Sequence, residues 1–225
     1  VIIIHGGGPR IKKELAKLNI ESEFINGLRV TDRQTMEVVE KVLVDFNSEI
    51  VEKLKKKNCK SEGINVSYNN VINVEQENKD LGFVGKPTKI FNQKINEIID
   101  NGAIPVLSPM GKDNSDQKYN INADTAAAAV AKSLKSRRLL LMTDVEGVYD
   151  ENKKLINEIK PNDAKNLIDK KIAQGGMIPK LLNSIDAIEN GVKGVVIIDG
   201  RKLHSILCEI FSDEGAGTLI RKWEN

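Results

Sequence analysis

The sequence predicts an α/β protein, a three-layer αβα sandwich with a mostly parallel central sheet, in two lobes. The first observation behind this prediction is that short, continuous apolar runs alternate with longer segments of helical periodicity. The second is that Asn101-Gly102 and Asn190-Gly191 stand between a helical pattern and the next apolar run, where helices commonly stop. The chain has 225 residues, 40% of them hydrophobic, which is enough to bury a sheet between helical layers.

The individual strands and helices are predicted from local patterns. Continuous apolar runs without alternation predict buried strands at residues 1–4, 103–107, 139–143 and 195–198. Apolar residues at helical spacing predict helices at residues 11–18, 32–57, 93–101, 123–134, 163–171, 178–189 and 204–211. Short β-like pieces joined by polar residues predict hairpins beside the main sheet within 63–89. A change of composition near Ser136-Arg137 predicts two lobes, residues 1–136 and residues 137–225.

The bulk composition argues against several classes of function. The formal net charge is +2, so the overall charge does not favour nucleic acid or an anionic membrane as a partner. Cys59 and Cys208 are far apart and lack metal-ligand spacing, which predicts free thiols in a reducing compartment. No apolar run approaches the roughly 18 residues of a membrane span, and no signal peptide precedes Val1. We therefore expect a cytoplasmic protein.

The opening stretch VIIIHGGGPR takes a predicted strand directly into a histidine and three consecutive glycines. Ligands of parallel α/β sheets bind beyond the carboxyl ends of strands, where loops meet helix N-termini. Gly6, Gly7 and Gly8 expose backbone N–H groups with no Cβ in the way, and the following helix start adds positive partial charge. The turn therefore predicts an anion site, with phosphate as the expected anion. A tight strand-to-helix turn without a ligand is the alternative.

Three better-known glycine motifs do not fit this turn. No G-x-x-x-x-G-K-[ST] occurs in the chain, which excludes a P-loop protein. The glycines do not form G-x-G-x-x-G, which argues against a dinucleotide site. HGGG also resembles the oxyanion segment of esterases, but no G-x-S-x-G nucleophile elbow follows it. A phosphoryl-handling site of another type remains.

Two polar segments in the first half of the chain contain further candidate residues. NGLRVTD places Arg29 in a turn, where its planar guanidinium suits a carboxylate or a phosphate. A solvated loop arginine is the ordinary alternative. YNINADTAAAAVA gathers Asn120, Asn122 and Asp124 at a helix start. An N-cap role would explain Asn122 but would leave Asn120 and Asp124 unexplained.

Two segments in the second half of the chain resemble the edges of a phosphate site. TDVEGVYD leaves a predicted buried strand through Asp144 and Gly147, the usual setting of a nucleotide-edge loop. IAQGGMIPK places two glycines and Lys180 at a helix start, and a lysine beside glycine N–H groups suits a transferring phosphoryl group. Each segment alone is a weak signal. Together with the first glycine turn they predict that both turns and Lys180 bind one polyphosphate ligand.

The motifs HGGGP, NGLRVTD, YNINADTAA, LMTDVEGVY, GGMIPK and EIFSDEGAGTLI occur in this order along residues 1–221. In this series the chain resembles the acetylglutamate kinases, a branch of the amino acid kinase family. Aspartokinases and the glutamate, uridylate and carbamate kinases share the glycine turn, but NGLRVTD and NINADTAA are not expected in them in this form. The resemblance implies transfer of the ATP γ-phosphoryl group to the side-chain carboxylate of N-acetyl-L-glutamate, a step of arginine synthesis. Such a carboxylate, with a pKa of about 4.3, is ionised at neutral pH and needs no general base.

The resemblance also implies which residues bind the substrate. Gly7 and Gly8 would bind N-acetyl-L-glutamate and the passing phosphoryl group through their backbone N–H groups. Arg29 would bind the α-carboxylate of the substrate, and Asn120 would help to hold its acetamido end.

For catalysis and nucleotide binding, the resemblance assigns a second set of residues. Asp124 would organise the catalytic lysines, and Lys180 would stabilise the transition state from the nucleotide side. The nucleotide pocket would be lined by Asp144, Gly147, Tyr149, Ile172, Ala173, Gln174 and Gly176. The cofactor would be ATP with Mg²⁺ bridging its phosphates, and no protein side chain is expected to ligate the metal.

Two departures from the family pattern bear on activity. Members of the family begin with a further strand ending in Lys-x-Gly-Gly, whose lysine is a second transition-state stabiliser, and Val1 corresponds to the strand after it. We therefore expect the sequence to be a fragment with little kinase activity of its own. An inactive or arginine-sensing subunit of this fold, or another amino acid kinase, is the alternative. GINVSYNN, residues 63–70, replaces a Ser-Gly-Lys-Asp-like stretch, which affects the hairpin region rather than the phosphoryl site.

The tail HSILCEIFSDEGAGTLI resembles the form of the family that L-arginine inhibits. A carboxylate such as Glu209, beside a loop with Gly215 and Gly217, would hold the effector, and His204 completes the candidate set. An ordinary helix, glycine turn and final strand is the alternative. In that form an N-terminal helix links dimers into a hexamer, so the resemblance implies a homo-oligomer, either a dimer or a hexamer.

Overall fold

The computed structural model describes residues 1–212 and 215–222 of the chain. The chain folds as two compact units, Val1–Ala127 and Ala128–Asn225, and the division falls within a helix. Both units combine helices with parallel strands, which confirms the predicted α/β class.

The first unit contains a parallel sheet whose strands all end at the same level. In chain order its elements are β1 (Ile3–Ile4), α1 (Gly8–Lys17), β2 (Phe24–Ile25), β3 (Leu28–Arg29), α2 (Arg33–Lys56), β4 (Ser61–Ile64), β5 (Ile72–Gln76), β6 (Gly85–Ile90), α3 (Asn92–Asp100), β7 (Ile104–Leu107), β8 (Met110–Lys112), β9 (Lys118–Asn120) and α4 (Ala123–Ser133). Strand β7 lies between β1 and β4 and is parallel to both. Ile4 and Ile64 both lie opposite Leu107, so the carboxyl ends of the three strands form one edge.

The first unit contains a second, mixed group of strands, in which β5 is antiparallel to β6 and parallel to β8. The order of this group is β6-β5-β8-β9. Its β5 and β6 form a hairpin, which confirms the predicted hairpin region. The prediction is wrong at its start, because Gly63 and Ile64 belong to β4 of the parallel sheet. The four residues of β4, SEGI, contain no apolar run, so their strand character depends on pairing with β7 and is not visible locally.

Helix α2 is the longest element of the first unit, and the sequence explains both of its ends. Asp32 is its N-cap and accepts a hydrogen bond from the backbone N–H of Thr35 at 2.7 Å. Three lysines occupy its last turn, where a helix C-terminus favours positive charge. Its buried face and α1 share a core of Ile11, Leu15, Met36, Val39, Val42, Leu43, Val66 and Met110. This core supports the turn between β1 and α1.

The second unit has its own sheet, in the order β10-β12-β13-β11. Its elements are β10 (Leu139–Thr143), β11 (Glu158–Ile159), α5 (Pro161–Asp169), α6 (Met177–Glu189), β12 (Val195–Asp199), α7 (Ser205–Phe211) and β13 (Gly217–Ile220). β10 and β12 are parallel, whereas β13 is antiparallel to β12. All of β12 is buried, but Met142 of β10 is 48% exposed, so the expectation that both strands are fully buried is wrong for β10. Burial depends on what covers each face of a strand, which its own residues do not encode.

Candidate functional site

The turn between β1 and α1 lies at the edge where the strands of the first parallel sheet end. The backbone N–H of His5 donates to the carbonyl of Leu107 at 3.2 Å, which extends the β1–β7 pairing up to the turn. Gly7 is the N-cap residue of α1, and no side chain caps this helix. The first N–H groups of the helix therefore have no side-chain acceptor, a condition in which a helix N-terminus attracts an anion.

The three glycines of this turn differ in what surrounds them. A Cβ at Gly7 would lie 2.7 Å from Cδ2 of Leu43, so any side chain there would force the buried Leu43 to shift. A Cβ at Gly6 would make an ordinary contact of 3.7 Å with Ala123. A Cβ at Gly8 would meet no atom within 4 Å, so the backbone of Gly8 is open. A tight turn without a ligand explains Gly7 but leaves Gly8 unexplained.

Arg29 is buried beside this turn. Its residue is 8% exposed, its Nη1 donates to Oγ of Ser22 at 2.5 Å, and its Nη2 donates to the carbonyl of Gly8 at 3.4 Å. The guanidinium carbon lies 4.6 Å from the centre of the Phe24 ring. Burial lowers the pKa of Arg29, but a guanidinium stays charged at neutral pH. The ordinary alternative of a solvated arginine is therefore wrong, and the structure places a buried cation next to an open glycine.

Asn120 is connected to the strand that carries Arg29. Its Nδ2 donates to Oγ1 of Thr31 at 3.3 Å, and that hydroxyl donates to the carbonyl of Arg29 at 2.9 Å. Thr31 is fully buried, so this connection is fixed by packing. The structure thus brings Asn120, Arg29 and Gly8 into one region of the first unit.

The start of α4 also reaches this region, since Ala123 is the residue nearest to Gly6 on the side of its missing Cβ. Oδ1 of Asn122 accepts a hydrogen bond from the backbone N–H of Thr125 at 3.1 Å, so the N-cap interpretation of Asn122 is confirmed. Asp124 lies in the first turn of α4, beside this cap.

Ser108 is a polar residue at the same edge that is not among the predicted site residues. It follows β7 directly and is 3% exposed. Its hydroxyl has no hydrogen-bond partner among the described residues. A buried hydroxyl without a partner is costly, and its place at a strand end makes Ser108 a candidate substrate contact. The available signal was the polar residue directly after the apolar run IPVL.

In the second unit, two loops leave adjacent parallel strands side by side. Thr143 ends β10 opposite Asp199, which ends β12. The backbone N–H of Gly200 donates to the carbonyl of Thr143 at 2.8 Å. The predicted nucleotide-edge loop beginning at Asp144 therefore has a neighbour that was not predicted, the loop after β12. Its signal was present, because IIDGRK also leaves a buried strand through an acid and a glycine.

Charged groups connect these two loops. Lys202 forms an ion pair with Glu146, and the hydroxyl of Tyr149 donates to Oε2 of Glu146 at 3.1 Å. These hydrogen bonds, that of Lys202 foremost, lower the pKa of Glu146. Arg201 donates from Nε and Nη2 to the Asp199 carboxylate at 3.0 and 2.9 Å, which lowers the pKa of Asp199 to about 2. Glu146 and Asp199 are therefore ionised at neutral pH.

Gly147 has a packing role that is independent of any nucleotide. A Cβ there would lie 2.5 Å from Oγ1 of Thr218 and 2.9 Å from Cδ1 of Leu155. The same Thr218 hydroxyl accepts a hydrogen bond from the backbone N–H of Val148 at 2.8 Å. Glycine at 147 thus lets the loop lie against β13.

The turn before α6 is the second glycine-rich turn. Ile172 and Ala173 close α5 by donating their N–H groups to the carbonyl of Leu167 at 2.9 and 3.0 Å, and Gln174 bonds back to the carbonyl of Lys171 at 2.9 Å. Gly175 has a φ of +55°, and Gly176 is the N-cap of α6, which no side chain caps. A Cβ at either glycine would meet no atom within 4 Å. Lys180 lies one helical turn further on, half-buried.

The sequence matches the amino acid kinase family over residues 1–199. The chain belongs to this family. An acetylglutamate kinase from Pelagibacter ubique strain HTCC1062 is 56% identical over 221 residues, which are 98% of this chain and 77% of that protein. An acetylglutamate kinase from Caldanaerobacter subterraneus subsp. tengcongensis is 47% identical, again over 98% of this chain and 76% of that protein.

A solved structure is similar to this amino acid kinase family member over nearly its whole length. The protein smu.665 from Streptococcus mutans UA159 superposes with a TM-score of 0.86 at 33% sequence identity. The match covers 98% of this chain and 85% of that one. The arrangement of strands and helices is therefore that of a known structure.

The candidate effector residues of this family member lie in different surroundings. Glu209 is buried, accepts a hydrogen bond from Arg138 at 2.6 Å and another from the backbone N–H of Ala216 at 3.0 Å. Gly215, at a φ of +69°, lies next to that carboxylate. His204 is exposed, and a Cβ at Gly217 would lie 2.1 Å from the carbonyl of Ile197, so Gly217 is required by strand packing. Positions 213 and 214 of the tail motif lie outside the described residues.

The described part of this family member contains neither a membrane-spanning helix nor a cluster of metal ligands. Across residues 1–212 and 215–222, no helix has both the length and the apolar character needed to cross a membrane. Within the same ranges, no group of three or more His, Cys, Asp or Glu side chains is placed to hold a metal ion. Cys59 and Cys208 are both free thiols.

Proposed function

We propose that this protein, in the form encoded by its whole gene, transfers the γ-phosphoryl group of ATP to the side-chain carboxylate of N-acetyl-L-glutamate, giving an acyl phosphate in arginine biosynthesis. The relatives named acetylglutamate kinase support the choice of substrate. The structural observation that carries the proposal is the buried guanidinium of Arg29 beside the open backbone of Gly8. A fixed cation and an uncapped helix N-terminus at one strand edge suit a substrate that has a carboxylate and receives a phosphoryl group.

Phosphoryl transfer to a carboxylate requires that the two reacting groups are aligned and that their negative charges are neutralised. It does not require a general base. The accepting carboxylate has a pKa of about 4.3 and is ionised at neutral pH. Its oxygen forms a bond to the γ-phosphorus while the bond from that phosphorus to the β,γ-bridging oxygen breaks, and ADP leaves with the electron pair. Two anions must approach each other, so N–H donors and cations at the transferring group lower the barrier. We assign this role to the N–H groups of Gly7 and Gly8 and to Lys180.

The remaining polar groups of the first unit orient the substrate in this proposal. Arg29 binds the α-carboxylate through its guanidinium, which Ser22 holds in place. Asn120, connected to Arg29 through Thr31, binds the acetamido end. Asp124 organises the catalytic lysine from the first turn of α4.

We assign ATP to the second unit, where the loops after β10 and β12 and the turn before α6 contain the candidate residues. These are Asp144, Gly147, Tyr149, Ile172, Ala173, Gln174 and Gly176. In this proposal Mg²⁺ would be held by the phosphate oxygens of the nucleotide. When bound there, the ion neutralises phosphate charge.

The substrate assignment is tested by comparing acceptors. The protein encoded by the whole gene is incubated with Mg-ATP and, separately, N-acetyl-L-glutamate, glutamate, aspartate, carbamate or UMP, and ADP release is measured. We expect turnover with N-acetyl-L-glutamate at least tenfold faster than with any other acceptor. Calorimetry on the 225-residue chain measures binding of the same acceptors without turnover. Preference for another acceptor in both measurements would reject the substrate while keeping the family.

We also infer that L-arginine binds at Glu209 and Gly215. The observation that favours this is that Glu209, although buried, already accepts a guanidinium, that of Arg138, next to the left-handed Gly215. A free arginine would have to displace Arg138 from the carboxylate. Titration of L-arginine against turnover tests the idea, and unchanged activity at millimolar arginine would reject it.

We propose that the chain assembles as a homo-oligomer, either a dimer or a hexamer. Apolar side chains at and beside α7 are unusually exposed, with Leu203 at 87% and Phe211 at 80%, and a second copy would cover such a surface. Light scattering of the purified protein measures the assembly, and a monomer at micromolar concentration would contradict it.

The free thiols Cys59 and Cys208 support a cytoplasmic location, since a reducing compartment keeps cysteines unpaired. Fractionation of cells that express the protein at natural levels tests this location.

A further inference from the structure

A buried polar network lies directly beneath the first glycine turn. His5 is 6% exposed and Asn47, in the middle of α2, is 1% exposed. Nδ1 of His5 lies 3.0 Å from the carbonyl oxygen of Gly6, and its Nε2 lies 3.2 Å from Nδ2 of Asn47. The same Nδ2 donates to the carbonyl of Val106 at 2.9 Å. The network therefore connects helix α2 and strand β7 to the turn.

The partners determine which nitrogen of His5 carries the proton. Carbonyl oxygens only accept, so the contact with Gly6 requires a hydrogen on Nδ1. The carbonyl of Val106 requires that Asn47 presents its NH₂ group to this site, and that group can only donate to Nε2 of His5. His5 is therefore the neutral Nδ1–H tautomer. Burial, the largest cause, lowers the pKa of His5, which agrees with a neutral ring.

The position of Asn47 is itself built in. A Cβ at Gly63 would lie 2.4 Å from Oδ1 of Asn47, so β4 needs a glycine at this point for Asn47 to fit. A buried amide and a buried imidazole are expensive unless both are satisfied, and here they satisfy each other. None of the roles assigned above to the glycine turn, to Arg29 or to Asn120 uses this network.

The hydrogen bond to Gly6 controls the direction of a neighbouring N–H group. In a planar trans peptide the carbonyl and the N–H point to opposite sides, so holding the Gly6 carbonyl at His5 directs the Gly7 N–H away from His5. Glycine residues on both sides of this peptide would otherwise allow it to rotate, because they adopt left-handed conformations without a steric penalty. His5 removes that freedom at the point where the amide has to be fixed.

We propose that His5, oriented by Asn47, is a positioning residue that fixes the Gly6–Gly7 peptide with the Gly7 N–H directed at the bound anion. The proposal rests on the proposed function, in which that N–H binds the transferring phosphoryl group. A preorganised donor of this kind needs no reorientation during the reaction. The competing explanation is that His5 only fills space against Phe46, whose ring it meets edge-on at 5.1 Å.

Two substitutions separate positioning from packing, because each keeps one property of His5. His5→Phe keeps a ring against Phe46 but has no donor for Gly6, whereas His5→Asn keeps a donor close to the place of Nδ1 but loses the ring. If His5 positions the peptide, His5→Phe lowers kcat about 10- to 100-fold, somewhat less than removal of an oxyanion donor, and His5→Asn stays within about fivefold. KM for ATP changes less than about twofold in both, since this interaction belongs to the transition state. A packing role predicts the reverse order, and that order would overturn the proposal.

A measurement without turnover keeps the proposal separate from the proposed function. The chain has two histidines, so long-range ¹H–¹⁵N spectra of the imidazole rings have few signals to assign. We expect the Nδ1–H tautomer for His5 at pH 7, and a changed or doubled Gly7 amide resonance in His5→Phe but not in His5→Asn. An Nε2–H tautomer, or a Gly7 resonance that His5→Phe leaves unchanged, would refute positioning even in an active enzyme. The expected spectra in a protein that does not phosphorylate N-acetyl-L-glutamate would reject the proposed function alone.

Discussion

The turn before α1 and the turn before α6 are both rich in glycine, and both precede a helix that no side chain caps. Their surroundings in the protein differ. At the first turn Leu43 lies against Gly7, and His5 holds the carbonyl of Gly6. At the second turn no atom in the described part of the chain lies within 4 Å of a Cβ placed on Gly175 or Gly176. The first turn is packed against the core, whereas at the second turn the Cβ positions of both glycines are open.

The difference shows that glycines of one motif have separate reasons to be there. Gly7 is needed for packing, and Gly175, at a φ of +55°, is needed for its backbone conformation. Gly8 and Gly176 have neither reason, since their Cβ positions are empty and their φ angles are not left-handed. Access of a ligand to the backbone is the explanation that remains for these two.

The cations near the two turns differ in the same way. Arg29 is buried and held by Ser22, while Lys180 is half-buried on the first turns of a helix. A rigid, planar guanidinium suits a substrate group that stays in place, and a flexible ammonium suits a phosphoryl group that moves. We expect the turns to respond differently to substitution.

The largest effect is expected when the cation of the second turn is removed. Lys180→Met should lower kcat by about 10²- to 10³-fold, as loss of a transition-state stabiliser does. Lys170→Met is the matched control, because Lys170 is an exposed lysine at the end of α5. A kcat of Lys180→Met within threefold of the unaltered protein would remove Lys180 from the mechanism.

The first turn is tested by comparing Gly7→Ala with Gly8→Ala. The methyl group at 7 would collide with Leu43 at 2.7 Å, so Gly7→Ala should lower the free energy of unfolding by about 1 to 3 kcal/mol. Gly8→Ala adds a methyl in open space within a helix, so stability should be kept while KM for N-acetyl-L-glutamate rises about tenfold. Denaturant unfolding and substrate titration measure the two quantities. If both variants lower the free energy of unfolding equally, Gly8 is required for packing like Gly7 and not for access of a ligand.

The same comparison in the second unit uses Gly147→Ala and Gly176→Ala. At 147 the methyl group would meet Thr218 at 2.5 Å and disturb the hydrogen bond from Val148, which should cost about 1 to 3 kcal/mol of stability. At 176 it meets no atom of the described residues within 4 Å, so the expected change is a weaker affinity for ATP at unchanged stability. Calorimetric ATP titration decides the second point. If Gly176→Ala leaves the ATP affinity unaltered, the backbone at Gly176 does not contact the nucleotide.

The smallest effect concerns the carboxylates that hold the loops in place. Asp199 has a pKa of about 2 beside Arg201, below its ordinary value of 3.8. The folded chain therefore gains stability from this ion pair above about pH 4, and loses that gain as the pH falls toward 2. Asp199→Asn should make the free energy of unfolding less dependent on pH between about pH 4 and pH 2. Urea unfolding midpoints at several pH values measure this dependence. Glu49→Gln in the first unit is the comparison variant. We expect it to change the pH dependence of stability less, because the Glu49 side chain is 35% exposed and that of Asp199 is 5% exposed.

The sequence predicted the elements whose signals are local. Helix α2 was bounded correctly to within one residue, because Asp32 caps it and lysines end it. Strand β4 was missed, because SEGI becomes a strand only through β7, more than 40 residues away in the chain. A final strand at the position of β13 was only the alternative to an effector site, and its antiparallel pairing with β12 was not predicted, since pairing direction is a property of two strands and the path between them.

For the candidate site, the sequence by itself determined the chemistry that is available: amide donors in two glycine turns, an arginine, a lysine and a cluster of amides and carboxylates. Only the tertiary structure decided that Gly7 packs while Gly8 is open, that Arg29 is buried beside it, and that Asn47 orients His5 from 42 positions away. The physical reason is that caps, turns and periodicity depend on neighbours in the chain. Burial, steric fit and hydrogen-bond direction depend on neighbours in space.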